Sequence, residues 1–142
     1  MAAAGFFGLL GFPLDDVCHR LFGQDVTLWS PTHLMLIVGG GLSLVGLAVL
    51  EREGRLAHGY DEVTALGLFV RRGMIMGGLL IGLSVFQGEW DFGVPQFRIV
   101  LQPLLIAMAA ACALVAARLW MGRGGALFAV GFYVGVRGGV AL

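Results

Sequence analysis

The feature that most constrains this chain is a series of long apolar runs separated by short charged segments. Four such runs begin near residues 33, 63, 99 and 125, and a helix needs about 20 apolar residues to cross the hydrocarbon core of a bilayer. Only 13% of the 142 residues are charged and 58% are hydrophobic, so the polar residues are too few to cover a water-soluble core. The sequence therefore predicts an all-α fold, a multi-pass membrane helical bundle with about four transmembrane helices.

The boundaries of these runs follow from capping residues and from charge. Ser30 and Pro31 suit the N-cap and the first position of a helix, which places the first span over residues 33–50. A charged loop is predicted over residues 51–62 and a turn-rich loop over residues 88–98. The remaining spans are predicted over residues 63–87, over residues 99–118 and from residue 125 onward.

The N-terminal segment is apolar over residues 1–14, but it has neither the basic residues of a secretory signal nor the pattern of a full span. Pro13 at the first helical position and Gly23 as a stop predict a short helix at the outer face of the membrane. Residues 1–142 are expected to form a single membrane domain. The chain stops within an apolar stretch, which leaves open that it is a fragment of a longer protein.

The arginines set the expected orientation, since all nine basic residues are Arg. One side of the predicted bundle holds Arg52, Arg55, Arg71, Arg72, Arg118 and Arg123, and the other holds Arg20 and Arg98. The positive-inside rule places the first group in the cytoplasm. We therefore expect a bacterial inner membrane protein whose N-terminal segment is periplasmic. A net charge of zero and the lack of a basic stripe argue against nucleic acid as a partner.

Glycines recur at four-residue spacing in two predicted spans. Small residues at this spacing let helix backbones approach closely in lipid. The residues are Gly73, Gly77, Gly78 and Gly82 in the second span, and Gly131, Gly135 and Gly139 in the fourth. The spacing leaves two interpretations open, packing within the chain and docking of another membrane subunit or a second copy.

The strongest candidate for chemistry is a carboxylate and two imidazoles near the N-terminus. Asp15 and His19 are four residues apart, so they share one face of the predicted short helix. His33 follows the Ser30-Pro31 helix start, and the connector between the helices lets it approach the first two. This ligand set suits a divalent first-row metal or copper, and Asp16 and Asp25 are spare carboxylates that could ligate the metal or support its ligands.

The segment from Asp15 to His33 resembles the metal-binding segment in the C subunit of the particulate methane and ammonia monooxygenase family. In that family an Asp, a His four residues later and a second His after a stretch containing Asp, Thr and Pro ligate copper. The matching positions in this chain are Asp15, His19, Asp25, Thr27, Pro31 and His33. The resemblance implies a copper ion held by Asp15, His19 and His33 in a subunit of a larger membrane complex.

A purely structural interpretation competes with the metal site. Asp15 and Asp16 would lie in the first turn of the predicted helix, where carboxylates interact favourably with the helix dipole. His19 and His33 would then be interfacial residues that bond backbone carbonyls. Glu89 and Asp91 are read as solvated loop charges or as an entry point for protons or cations.

The sequence thus leaves two functions open, and it makes no assignment of enzymatic activity. The first is a membrane subunit with an Asp/His metal site on its periplasmic face. The second is a non-catalytic accessory subunit of a membrane complex that binds no metal. A transporter has little support, because the first and third spans carry almost no polar residues along a path through the bilayer.

Overall fold

A computed structural model describes residues 1–23, 28–58, 64–91, 93 and 95–141. All regular secondary structure within these ranges is helical, which confirms the all-α prediction for the described part of the chain. A single 3-10 turn, Ile99–Leu101, precedes the fifth helix. The helices are α1 (Ala2–Phe22), α2 (Pro31–His58), α3 (Ala65–Leu83), α4 (Val85–Asp91), α5 (Gln102–Met121) and α6 (Gly125–Ala141).

Three segments among the described residues are long and apolar enough to span a membrane, Pro31–Ala57, Ala65–Leu83 and Ile99–Met121. The last helix, α6, is apolar but has 17 residues. At 1.5 Å per residue it is about 26 Å long, which is shorter than a hydrocarbon core of about 30 Å. The structure therefore supports a membrane bundle with three clear spanning helices, and the expected fourth is not established.

The prediction of a short N-terminal helix is wrong. One continuous helix, α1, begins at Ala2 and contains Pro13 in its interior. Proline has no amide hydrogen to donate to the carbonyl four residues earlier, so its presence costs one helical bond. The apolar residues before Pro13 nevertheless form helix, because the segment packs against α2 from Met1, which lies beside Gly46, to Gly11, which lies beside Leu36.

Glycines let α1 and α2 pack in antiparallel contact. A Cβ added at Gly39 would lie 2.5 Å from the Cα of Gly8, so the two backbones touch there. Further towards the start of α2, a Cβ on Gly11 would lie 2.8 Å from Leu36. This close approach is possible only for residues without side chains, and it fixes the register of α1 against α2.

The predicted charged loop over residues 51–62 is also wrong in its first part, because α2 continues to His58. The side chain of Glu51 is almost fully buried, and its carboxylate accepts hydrogen bonds from the guanidinium of Arg72, the closest at 3.1 Å. The Arg72 guanidinium also lies 4.9 Å from the centre of the Trp120 ring. These contacts join α2, α3 and α5. They also give the charges of Glu51 and Arg72 partners within the helical bundle.

The second predicted span is interrupted before Gln87. α3 ends at Leu83, and the hydroxyl of Ser84 donates to the carbonyl of Ile81 at 2.6 Å. Hydroxyl bonds of this kind compete with the helical ladder. A short helix, α4, then extends to Asp91, so the predicted loop over residues 88–98 begins as helix.

The glycine pattern of α3 serves packing within the chain at three positions. Gly73 faces Phe128 of α6, and a Cβ on Gly77 would lie 2.5 Å from Phe132. A Cβ on Gly78 would lie 3.2 Å from Leu44 of α2. An added Cβ would meet nothing within 4 Å at Gly82, Gly131, Gly135 or Gly139. The core beside this contact is made of Ile75, Met76, Ala117 and Ala129.

Candidate metal centre

The candidate metal centre lies where the C-terminal part of α1 meets the first turn of α2. Asp15 and His19 are one helical turn apart on α1. Ser30 caps α2, since the amide of His33 donates to its hydroxyl at 3.4 Å. The cap fixes the direction in which α2 starts, and α2 begins at Pro31, as the sequence predicted.

The structure brings the three predicted ligands together. One ligand atom from each of Asp15, His19 and His33 lies within 4.8 Å of the other two. The Asp15 carboxylate is 3.7 Å from Nδ1 of His19 and 3.5 Å from Nε2 of His33. The two imidazole rings meet edge to face, with centroids 6.3 Å apart.

These separations are close to those of a loaded metal site. Bonds from a first-row metal to histidine nitrogen and carboxylate oxygen are about 2.0–2.2 Å long, so neighbouring ligand atoms are about 3–3.5 Å apart. Side-chain rotations that move the ligand atoms by about 1 Å would bring the three groups into this range. Three protein ligands would leave at least one coordination position for water or another ligand.

An ion could reach these side chains from the surface. The exposed fraction is 20% for Asp15, 24% for His33 and 29% for His19. The three ligand side chains are therefore partly buried among their neighbours and still accessible to solvent.

Thr32 belongs to the centre, and sequence reasoning missed it. Its buried hydroxyl donates to Oδ1 of Asp15 at 2.5 Å and lies 3.3 Å from the hydroxyl of Ser30. This bond holds the carboxylate in place from α2. The sequence did offer one indication of this role, since Thr32 directly precedes His33. Both residues lie in the first turn of α2, next to the C-terminal part of α1.

The helix-dipole explanation for the two aspartates does not hold. α1 begins at Ala2, so Asp15 and Asp16 are far from its first turn, which contains no acidic residue. Asp16 instead pairs with Arg20 at 2.9 Å on the outer surface of α1. Two other residues of the matching segment, Asp25 and Thr27, lie outside the described residues.

Glu89 is fully buried, which corrects its interpretation as a solvated loop charge. The indole N–H of Trp29 donates to one carboxylate oxygen. The other oxygen accepts from the backbone amide of Gln96 at 3.1 Å and from the side-chain amide of Gln102 at 2.9 Å. Glu89 therefore joins the segment before α2 to α4 and to the start of α5.

Asp91 is likewise partnered, with Arg137 of α6. The guanidinium and the carboxylate are 2.5 Å apart, and the side chains are 35% exposed for Arg137 and 41% exposed for Asp91. The one arginine in the last turns of α6 is thus paired with an acidic residue of the same chain.

Comparisons of this chain with protein-family models, with curated proteins and with solved structures find no match.

Proposed function

We propose that this chain is an integral membrane protein that binds one transition-metal ion through Asp15, His19 and His33. The observation that carries the proposal is the convergence of these three side chains from two helices. Two imidazoles and a carboxylate form a donor set typical of first-row metals.

Copper is the metal that we propose for the centre. Imidazole nitrogen is a favourable ligand for copper, and divalent copper binds a given site more tightly than the other divalent first-row ions. The resemblance of the segment from Asp15 to His33 to the copper segment of the monooxygenase C subunit points the same way. We assign no reaction to the ion.

The setting of the protein is part of the proposal. We place the protein in a bacterial inner membrane, and the arginine distribution favours the orientation that puts the centre on the periplasmic side. Assembly with other membrane subunits, or with a second copy, would use the open glycine face of α6, where Gly131, Gly135 and Gly139 have free space beside them.

Metal titration of the purified chain in detergent tests the proposal. We expect about one bound copper per chain by elemental analysis after dialysis, and its loss in the variants His19→Ala and His33→Ala. The matched control is Asp16→Asn, because Asp16 is an exposed carboxylate next to Asp15 that pairs with Arg20 instead. Equal copper contents in His19→Ala, Asp16→Asn and the unmodified chain would refute the metal site.

A second function, an accessory subunit without metal, is favoured by the bond between Thr32 and Asp15. That bond joins α1 to α2 without any ion. If it is the main role of Asp15, Asp15→Asn should lower the unfolding temperature while no variant or condition shows bound copper.

A further inference from the structure

A groove on the side of the bundle opens between α2, the α3–α4 segment and α6. Its volume is about 830 Å³, within the range of about 300–1,000 Å³ that is usual for sites of small molecules. Three glycines, Gly40, Gly41 and Gly82, form part of its wall. An added Cβ at any of them would meet no atom within 4 Å, so the absence of side chains there keeps the groove open.

The groove is polar at one end and apolar at the other. Asp91 and Arg137 line the end that is formed by the last residues of α4 and the last turns of α6. The opposite end is lined by Leu44 and Gly78. From Leu36 to Leu44 the groove follows about two turns of α2, or about 12 Å.

This polarity matches that of a membrane lipid lying along the bundle. A hydrocarbon chain fits against the glycines and leucines, and a headgroup reaches the end that holds both charges. Arg137 and Asp91 pair with each other, and both side chains are partly exposed. The guanidinium therefore keeps N–H groups that can donate to an anion, and the carboxylate keeps lone pairs that can accept from a cation. A headgroup with only one sign of charge would lie beside a side chain of the same sign, Asp91 for an anion or Arg137 for a cation.

We propose that the groove binds a phospholipid whose headgroup carries both a phosphate and a primary ammonium, as in phosphatidylethanolamine. The phosphate lies at Arg137 and the ammonium at Asp91, and the acyl chains extend past Gly82 and Gly40 towards Leu44. This site is separate from the Asp15, His19 and His33 centre, and binding of the lipid does not require the metal.

Native mass spectrometry of the detergent-purified chain with 1-palmitoyl-2-oleoyl-phosphatidylethanolamine tests the proposal. The phosphatidylglycerol with the same acyl chains, which lacks the ammonium, serves as the comparison lipid. We expect one bound phosphatidylethanolamine, with an affinity about tenfold higher than that for phosphatidylglycerol. Equal affinity for the two lipids would overturn the headgroup assignment.

Filling the groove should remove the lipid without disturbing the helix packing. Gly82→Leu and Gly40→Leu place a side chain in open space from opposite walls, and each should lower phosphatidylethanolamine binding at least tenfold. Gly131→Leu is the control, since Gly131 is equally open but does not line the groove. Copper content should stay unchanged in all three variants, which separates this test from that of the metal centre.

The charged end is tested by Asp91→Asn, which should abolish the preference for phosphatidylethanolamine over phosphatidylglycerol, because only phosphatidylethanolamine carries the ammonium that is placed at Asp91. Unchanged lipid binding in both Gly82→Leu and Gly40→Leu would refute the site. A neutral isoprenoid quinone bound in place of phospholipid would refute it as well, as would dimers that disappear in Gly82→Leu.

Discussion

Gly8 of α1 and Gly39 of α2 lie in direct backbone contact, and this contact sets the height of α1 beside α2. A Cβ added at Gly39 would lie 2.5 Å from the Cα of Gly8, so there is no room for a side chain at Gly39. Asp15 is two turns further along α1 and reaches Thr32 of α2. The glycine contact therefore positions the carboxylate of the candidate metal centre from about 10 Å away along the helix.

Gly39→Ala is expected to weaken copper binding by about tenfold, because the added methyl group forces α1 and α2 apart and separates Asp15 from His33. The measurement is a copper titration of the purified variant. Gly40→Ala is the matched control, because the neighbouring glycine has open space at the same depth. Equal losses in both variants would show that helix register does not matter for the centre.

Thr32→Val should also weaken copper binding by about tenfold, since valine keeps the shape of threonine but cannot hold the carboxylate of Asp15. Thr32→Ser retains the hydroxyl and should bind copper almost as well as the unmodified chain. If Thr32→Val and Thr32→Ser bind copper equally, the hydrogen bond to Asp15 does not orient the ligand.

Glu89→Gln should destabilise the fold by about 2 kcal/mol, because the new amide group places a donor against at least one of three existing donors. Thermal unfolding in detergent measures the effect. Glu53→Gln removes an exposed carboxylate of α2 and serves as the control for the change in charge. A similar unfolding temperature for the two variants would mean that Glu89 is not held as described.

Gly77→Leu should destabilise the packing of α3 on α6 by about 3 kcal/mol, since the new side chain collides with Phe132. The combination with Phe132→Ala should recover part of this loss, and the difference measures the contact directly. Gly131→Leu, at an open position, should leave thermal unfolding nearly unchanged. If the double variant is no more stable than Gly77→Leu alone, the new leucine does not collide with Phe132.

Local patterns predicted the parts of the structure that depend on neighbours in sequence. The Ser30-Pro31 pair predicted the start of α2, because a cap bonds to an amide only three residues away. The four-residue spacing of Asp15 and His19 placed both on one face of a helix. The approach of His33 was predicted from the short connector, and the structure brings its ring to Asp15.

Contacts between distant residues account for what the sequence did not predict. From its sequence neighbours alone, Pro13 is typical of a helix start. Packing of the preceding residues against α2 makes those residues helical too, so that the helix begins at Ala2. Glu89 reads as a loop charge, since its donors Trp29 and Gln102 are far from it in sequence. The close approach of Gly8 to Gly39 depends on the relative height of two helices, which spacing within either one does not give.

The burial of Glu89 implies an order in which the chain closes on itself. Its bond to Gln102 spans 13 residues and its bond to Trp29 spans 60. The entropy of loop closure makes the longer connection about 1.4 kcal/mol less favourable than the shorter one. We therefore expect the carboxylate to meet Gln102 before Trp29, so that the segment leading into His33 is joined to Glu89 only after the start of α5 is in place.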